Sequence, residues 1–358
     1  MSRLKKKAIV ALSGGVDSAV SAALLIEQGF EVEALTMAVV PEAVPAGGEL
    51  CEDASCSKVI REARKVADFL HIPLHTVMLE KDFRDLVIEP FLREYLAGRT
   101  PNPCVVCNRF VKFGLLQETA VKLGADVFAT GHYALIRFQA DRYLLHKGVD
   151  QKKDQSYFLF ALQQSQLART VFPLGFLTKD QVRKRAEAMA LPVSQREESQ
   201  DICFIPQQDY VAYLEAESGV GPVEGDIVHA SGKVLGRHQG TWRYTIGQRK
   251  GLGIAWAEPL FVLGINAAAN RVIVGEKRHL AVGALKVRDV NWLIRSHNEP
   301  FRCRCRIRYR HREAPALVTP GNDGSAEVVF DQAQEGVTPG QAAVFYQDDL
   351  VAGGGWIV

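Results

Sequence analysis

Up to about residue 205, short apolar runs alternate with stretches whose apolar residues recur at helical spacing. The runs at 8–12, 31–37, 74–78 and 127–130 predict strands, and the periodic stretches near 17–29, 57–70, 82–97, 108–123 and 179–190 predict helices. Strands alternating with helices build βαβ units around a parallel sheet, which binds ligands beyond the carboxyl ends of its strands. Past residue 206 the texture changes to Gly, short β-branched runs and turn dipeptides, as in Gly225-Asp226-Ile227-Val228 and Gly232-Lys233-Val234-Leu235-Gly236. A second change near 281 brings runs at 287–290, 302–312, 327–330 and 342–346 that read as strands of a small barrel or sandwich. The expected architecture is therefore α/β: a parallel-sheet domain over 1–205, a small mainly β central domain over 206–280, and a β-barrel-like domain over 281–358.

The first run ends in Ser13-Gly14-Gly15-Val16-Asp17-Ser18, where a helix takes over. Paired glycines let the backbone turn with positive φ and approach an anion closely. The N–H groups at the start of the helix, with the Ser13 and Ser18 hydroxyls, then suit a phosphate. A Walker A loop would need Gly-x-x-x-x-Gly-Lys-Ser/Thr, which is absent. The hexapeptide instead resembles the PP-loop of ATP pyrophosphatases, which have an adenine nucleotide α-hydrolase-like fold. The resemblance implies ATP with Mg2+ and adenylation of a substrate oxygen.

Composition adds bounds. With 47% hydrophobic and 23% charged residues the chain is globular, and a net charge of +2 makes no global case for nucleic acid, so any such case rests on local charge. The basic start, Met-Ser-Arg-Leu-Lys-Lys-Lys, leads into an apolar run too short for a signal sequence. No run approaches the roughly 20 residues a membrane span needs. The expected setting is the cytoplasm, without membrane association. Seven cysteines in such a chain point to catalysis or metal binding more than to a disulfide framework.

Cys104 and Cys107 form a Cys-x-x-Cys directly after Gly98-Arg-Thr-Pro-Asn-Pro, a loop shaped by two prolines, and the helix that follows is expected to start near Cys107. A thiol at a helix N-terminus becomes a better nucleophile or metal ligand. Cys203, in Ile-Cys-Phe-Ile, reads on its own as a buried small hydrophobe.

With these stretches in view the chain resembles the tRNA-specific 2-thiouridylase (MnmA/TrmU) family along nearly its whole length. The shared motifs are the PP-loop, Gly-Arg-Thr-Pro-Asn-Pro (98–103), Ala-Thr-Gly-His-Tyr (129–133), Lys-Asp-Gln-Ser-Tyr-Phe (153–158), Ile-Cys-Phe-Ile (202–205), Thr-Ile-Gly-Gln-Arg-Lys-Gly-Leu-Gly-Ile (245–254) and Val-Thr-Pro-Gly-Gln (337–341). The resemblance implies conversion of wobble uridine (U34) of certain tRNAs to 2-thiouridine. ATP activates the base O2 as an adenylate, and sulfur from a donor such as a persulfide carrier or sulfide displaces AMP. It further implies Cys107 as nucleophile and Cys203 as the persulfide carrier. ATP would be held by Ala11, Leu12, Ser13, Gly14, Gly15, Val16, Asp17, Ser18, Met37 and Gly131. Asn102, Pro103 and Cys104 fall where the family meets the target base. His132, Lys153, Asp154, Gln155, Arg308, Tyr309 and Gln341 match tRNA-interacting positions.

One position departs from the family pattern. Many members carry Asp where this chain has Cys104, and that Asp is assigned an acid–base role. A three-thiol set of Cys104, Cys107 and Cys203 admits a 4Fe-4S cluster, a persulfide/disulfide relay, or zinc with Cys51 and Cys56 as further ligands. The sequence leaves these open.

Arginine occupies every even position from 302 to 312. In one continuous strand the six guanidiniums would line a single face about 7 Å apart, with Cys303, Cys305, Ile307 and Tyr309 turned to the core. Arg forks match phosphate oxygens, so Arg306, Arg308 and Arg310 are expected to read the tRNA backbone. The competing reading pairs the run with Asp323, Glu327 and Asp331 across the sheet.

Two other functions fit less of the chain. A PP-loop ligase adenylating a small-molecule carboxylate or carbonyl leaves the thiol set and the arginine run unused. A tRNA-binding module with a dead ATP site is at odds with an intact Ser-Gly-Gly-Val-Asp-Ser.

Overall fold

A computed structural model of the chain describes residues 5–39, 58–194, 202–294 and 299–358. Its contacts group into two compact units. The first comprises Met1–Val87, Cys104–Gln200 and Asp349–Val351, the second Ile88–Pro103, Asp201–Asp348 and Ala352–Val358.

The first unit is built on strands β1 (Lys7–Ala11), β2 (Glu31–Ala38), β3 (Leu74–Met78), β4 (Val127–Ala129) and β7 (Thr170–Val171). They form one parallel sheet in the order β3-β2-β1-β4-β7. Ala8, Ile9 and Val10 are all fully buried, which is why the central strand reads as a continuous apolar run rather than an alternating one. Helix α1 (Val16–Glu27) turns Ala22 and Leu25 onto Ala8, Val10 and Ala129, while Ala19, Val20 and Leu24 join a second cluster. That cluster takes in Ala63 and Val66 of α2 (Lys58–Leu70). Short α3 (Glu80–Phe83) continues into a π-helical stretch, Arg84–Ile88, and then α4 (Glu89–Leu96), which belongs to the second unit. The next helix has three parts: α5 (Pro103–Val106), a π-helical stretch Cys107–Leu116, and α6 (Gln117–Lys122). A hairpin of β5 (Ala134–Gln139) and β6 (Arg142–Lys147), short α7 (Gln164–Leu167) and α8 (Lys179–Ala188) complete the unit.

The second unit carries α9 (Tyr210–Ser218) and two β modules. Strands β8 (Gly225–His229), β9 (Val234–His238), β10 (Leu260–Asn266) and β11 (Arg271–Glu276) form a sheet in the order β10-β11-β8-β9 around Ile227, Leu260, Val262, Val272 and Val274. The strands β12 (Ala281–Trp292), β13 (Phe301–Arg306), β14 (Ala314–Pro320), β15 (Ala326–Glu335), β16 (Ala342–Gln347) and β17 (Leu350–Ile357) follow in the order β12-β15-β14-β13-β16-β17. Pairing of β12 with β17 closes them into an antiparallel barrel, which removes both exposed edges.

The arginine run does not form the expected stripe. Strand β13 ends at Arg306, because β14 pairs antiparallel to it from Cys305↔Ala314 back to Phe301↔Val318, so the chain must reverse within 307–313. The alternation rule holds up to that reversal: Cys303 and Cys305 are buried, while Arg302 and Arg304 face out. Arg302 is bonded to Asp331, as the cross-strand alternative expected. Arg304 donates to the Glu313 carbonyl at 2.9 Å, and Arg306 donates to the Tyr309 carbonyl while lying 5.2 Å from the centre of its ring. Ile307 stays in the core, Tyr309 is only half-buried, and Arg308 and Arg310 are exposed on the turn.

Candidate active site

All strands of the first sheet are parallel, so β1, β2 and β4 end on one side. That places Ser13–Ser18 after β1, Met37 near the end of β2, and Gly131 and His132 just after β4 along a single edge. Helix α1 starts at Val16 behind Gly15, which supplies no side-chain cap, so the N-cap position leaves the first N–H groups of the helix to other partners. The Ser18 hydroxyl donates to the Gly15 carbonyl at 3.0 Å and stands 3.3 Å from Ser13 Oγ, holding the loop closed on itself. Two glycines are required by contact. Gly14 sits at φ +68°, and a Cβ there would lie 2.4 Å from Glu62 Cβ; one on Gly131 would lie 2.9 Å from the backbone of Asp17 and Ser18.

Asp17, in the first turn of α1, is the centre of a charged cluster. Lys179 Nζ donates to both its carboxylate oxygens, at 2.7 and 2.9 Å, and the Tyr133 hydroxyl donates to Oδ1 at 2.7 Å. The Lys179 side chain is only 8% exposed against 33% for Asp17, so the ammonium is committed to this carboxylate. The pair cancels a negative charge that would otherwise oppose any anion at the α1 N-terminus.

Cys104 and Cys107 lie one helical turn apart. The helix begins at Pro103, one turn earlier than expected, because a proline at the first helical position suits both its fixed φ and its missing N–H. Cys104 therefore takes the first turn, half-buried, and Cys107 opens the π-helical stretch, buried. Cys203 is exposed rather than buried. Its neighbour Phe204 fills the apolar slot instead, edge-on to Phe91 at 5.3 Å, and 5.5 Å from Tyr213. Among the described residues no three His, Cys, Asp or Glu side chains are grouped to hold a metal ion. Cys51 and Cys56 lie outside the described residues. Burial pushes the Cys303 thiol up to about 12 and the Cys305 thiol well above its ordinary range, as expected of core residues.

The residues expected to meet tRNA divide by environment. His132 is buried between Phe113 and Phe172, with Nδ1 2.7 Å from Thr130 Oγ1; burial, then Lys112, holds its pKa well below the ordinary value, so the ring is neutral. Asp154 is buried and accepts from the Gly148 and Ser156 N–H groups and the Ser156 hydroxyl, shaping the loop between β6 and the next turn. Gln155 Oε1 accepts from the Tyr133 N–H at 2.9 Å, while Lys153 is half-buried. In the second unit Asn102 is buried, and Gln341 Nε2 donates to the carbonyls of Thr100 and Pro101 at 3.0 and 3.2 Å.

Three stretches of the chain match known families. Residues 6–207 match the family described as tRNA methyl transferase HUP domain, 213–276 the tRNA methyl transferase PRC-barrel domain, and 282–357 the aminomethyltransferase beta-barrel domain. The tRNA-specific 2-thiouridylase MnmA of Syntrophotalea carbinolica is 54% identical over 358 residues, covering 100% of both chains. That of Geotalea uraniireducens is 50% identical, covering 99% of this chain and 95% of its own. The chain belongs to the tRNA-specific 2-thiouridylase family. Relatives in this family extend to Acetivibrio thermocellus, whose 2-thiouridylase is 44% identical over 99% of both chains. A solved 4-thiouridine synthetase–RNA complex with bound ATP is 19% identical, covering 59% of this chain and 50% of its own, at a TM-score of 0.38.

Sequence reasoning within this family passed over Lys179 and Tyr133. Tyr133 lies in a quoted motif, but its hydroxyl contact with Asp17 needs the fold. Lys179 had a local signal: a lysine at the first position of α8, directly after the Thr178 cap, opposes the helix dipole. A cation placed against the dipole implies a specific anionic partner, here Asp17, 162 residues away.

Proposed function

We infer that this chain is an ATP-dependent tRNA 2-thiouridylase, with ATP at the phosphate loop and Mg2+ as its usual companion. The observation that carries this reading is the 54% identity to a tRNA-specific 2-thiouridylase over the full length of both proteins. The uncapped α1 N-terminus beside a neutralised Asp17 supports it. The triphosphate lies on the N–H groups of Gly14 to Ser18, and the uridine O2 attacks the α-phosphorus. The new O–P bond replaces the bond to pyrophosphate, which leaves. A sulfane sulfur carried as a persulfide on Cys203 then attacks C2, and the former O2 departs with AMP. The Cys107 thiolate attacks the Cys203 sulfur, the S–S bond breaks towards the transferred atom, and a Cys107–Cys203 disulfide remains. A dithiol reductant supplies the two electrons that reopen it. Nothing in this scheme requires a membrane, and no described helix is long and apolar enough to cross one.

The test is incubation with ATP, Mg2+, a persulfide donor and unmodified wobble-uridine tRNA. Pyrophosphate release that depends on this tRNA, with 2-thiouridine in its nuclease digest, is the expected result. Release triggered by a small metabolite instead would return the chain to the ligase reading.

The turn after β13 is proposed as a backbone-reading element. Removing Arg308 and Arg310 together, as alanines, should lower the slope of log K for tRNA against log salt by about 1.5, at up to about 0.7–0.9 per phosphate contact. Arg302→Ala, whose charge is matched by Asp331, should leave the slope unchanged. Filter binding at four salt concentrations measures both, and a parental slope in the double variant would take the turn out of the interface.

A further inference from the structure

Of the two tryptophans in the connection from β9 to β10, Trp242 is buried and Trp256 is 37% exposed. Trp256 is nevertheless held in a fixed frame. Its indole N–H donates to Glu276 Oε1 at 3.3 Å, and Glu276, the last residue of β11, is only 7% exposed. The other oxygen of that carboxylate takes His229 Nε2 at 3.3 Å, His279 Nδ1 at 3.2 Å and an Arg278 nitrogen at 3.5 Å. The Ser231 N–H donates to His229 Nδ1 at 3.1 Å, which leaves the proton of a neutral ring on Nε2, facing Glu276. The His229 ring backs the indole, centre to centre 5.0 Å and 31° from parallel. One buried carboxylate thus fixes both the edge of the indole and the ring behind it.

Positive charge gathers at this ring. The His229 N–H donates to the Lys233 carbonyl at 2.8 Å, closing the turn between β8 and β9, and the Lys233 ammonium stands over the indole, 5.6 Å from the ring centre. Further along the connection Arg243 is matched by Glu215, whereas Arg249 and Lys250 are exposed. An indole pinned at its edge presents its open surface with little freedom left to lose on binding. Every nucleobase offers a π-face to such a ring, and its backbone phosphate offers an anion to a neighbouring ammonium. An aliphatic or acidic protein surface would use only one of these two features.

We propose that Trp256 is a stacking platform for an unpaired base of the bound tRNA, with the Lys233 ammonium meeting a phosphate of the same strand. The choice of partner rests on the thiouridylase reading. The platform itself rests on the Glu276 frame and the cations around it, since Trp256 lies outside the 245–254 motif shared with the family.

Trp256→Ala should raise the tRNA Kd about tenfold while the slope of log K against log salt stays parental, because a base contact is lost and no phosphate contact is. Trp256→Phe keeps a π-face without the indole N–H and should weaken binding no more than about threefold. Lys233→Ala should instead lower the salt slope by about 0.7–0.9. Unmodified tRNA should quench tryptophan emission in the parent, and a distinct part of that quench should vanish in Trp256→Phe. Parental affinity in Trp256→Ala would overturn the proposal. So would equal losses in the Ala and Phe variants, which would trace the effect to the Glu276 bond, or a quench that is the same with and without Trp256. Where Trp256→Ala does not fold, the quench difference between the parent and Trp256→Phe decides. Trp256-dependent tRNA binding by a protein that forms no 2-thiouridine would leave the platform standing and remove the thiouridylase reading.

Discussion

Cys107→Ser and Cys203→Ser will each abolish 2-thiouridine formation, by on the order of a thousandfold or more, while tRNA-dependent pyrophosphate release continues. Serine keeps the shape of cysteine but is neither ionised near neutral pH nor able to carry a sulfane sulfur. Activation at the phosphate loop precedes sulfur delivery, so the two half-reactions should separate cleanly. Quantifying pyrophosphate and thiolated nucleoside in the same samples checks this. Thiolated product from either serine variant at more than a few per cent of the parental rate would remove that cysteine from the relay. Cys104→Asp, which installs the commoner family residue, should largely retain activity and bind no iron under anaerobic conditions. Loss of both iron and activity in that variant would favour a cluster.

The second large effect is expected at the Asp17–Lys179 pair. Lys179→Ala leaves the Asp17 carboxylate facing the incoming triphosphate without its counter-charge. At separations of a few Å and the screening typical near a protein surface, such repulsion is on the order of 3 kcal/mol, about a hundredfold in ATP affinity. Asp17→Ala should be at least as damaging, since it strands a buried ammonium and removes the acceptor of the Tyr133 hydroxyl. Paired replacement, Asp17→Asn with Lys179→Met, should bind ATP better than Lys179→Ala alone, because no uncompensated charge remains. Calorimetry of ATP binding reads all three, with tRNA affinity expected within a few-fold of the parent. Normal ATP binding by Lys179→Ala would reduce the pair to a packing contact.

The N-terminal half was legible because its chemistry is local. Buried parallel strands must be apolar on both faces, so Ala8, Ile9 and Val10 announce β1, and the glycines and serines after it announce a tight turn into α1. The helix over 179–190 and the hairpin-like texture after 225 were visible for the same reason, through period and turn residues. Where the reading failed, a neighbour distant in sequence decided. Six arginines at alternate positions describe one face only if the strand persists, and the return of β14 ends it at Arg306. Cys203 looked like a core residue until Phe204 proved to occupy the apolar site beside it.

The sequence alone determined the class of fold and the family, since each depends on residue type and spacing within short windows or on motifs repeated along the whole chain. It could not determine which charges meet. Asp17 finds Lys179 across 162 positions and Gln341 finds Thr100 across 241, contacts that exist only once sheet and barrel have closed. The same limit applies to exposure: whether a thiol, an imidazole or a guanidinium faces water is set by what packs against it. Tertiary structure therefore decided the protonation of His132, the exposure of Cys203 and the pairing of Arg302 with Asp331.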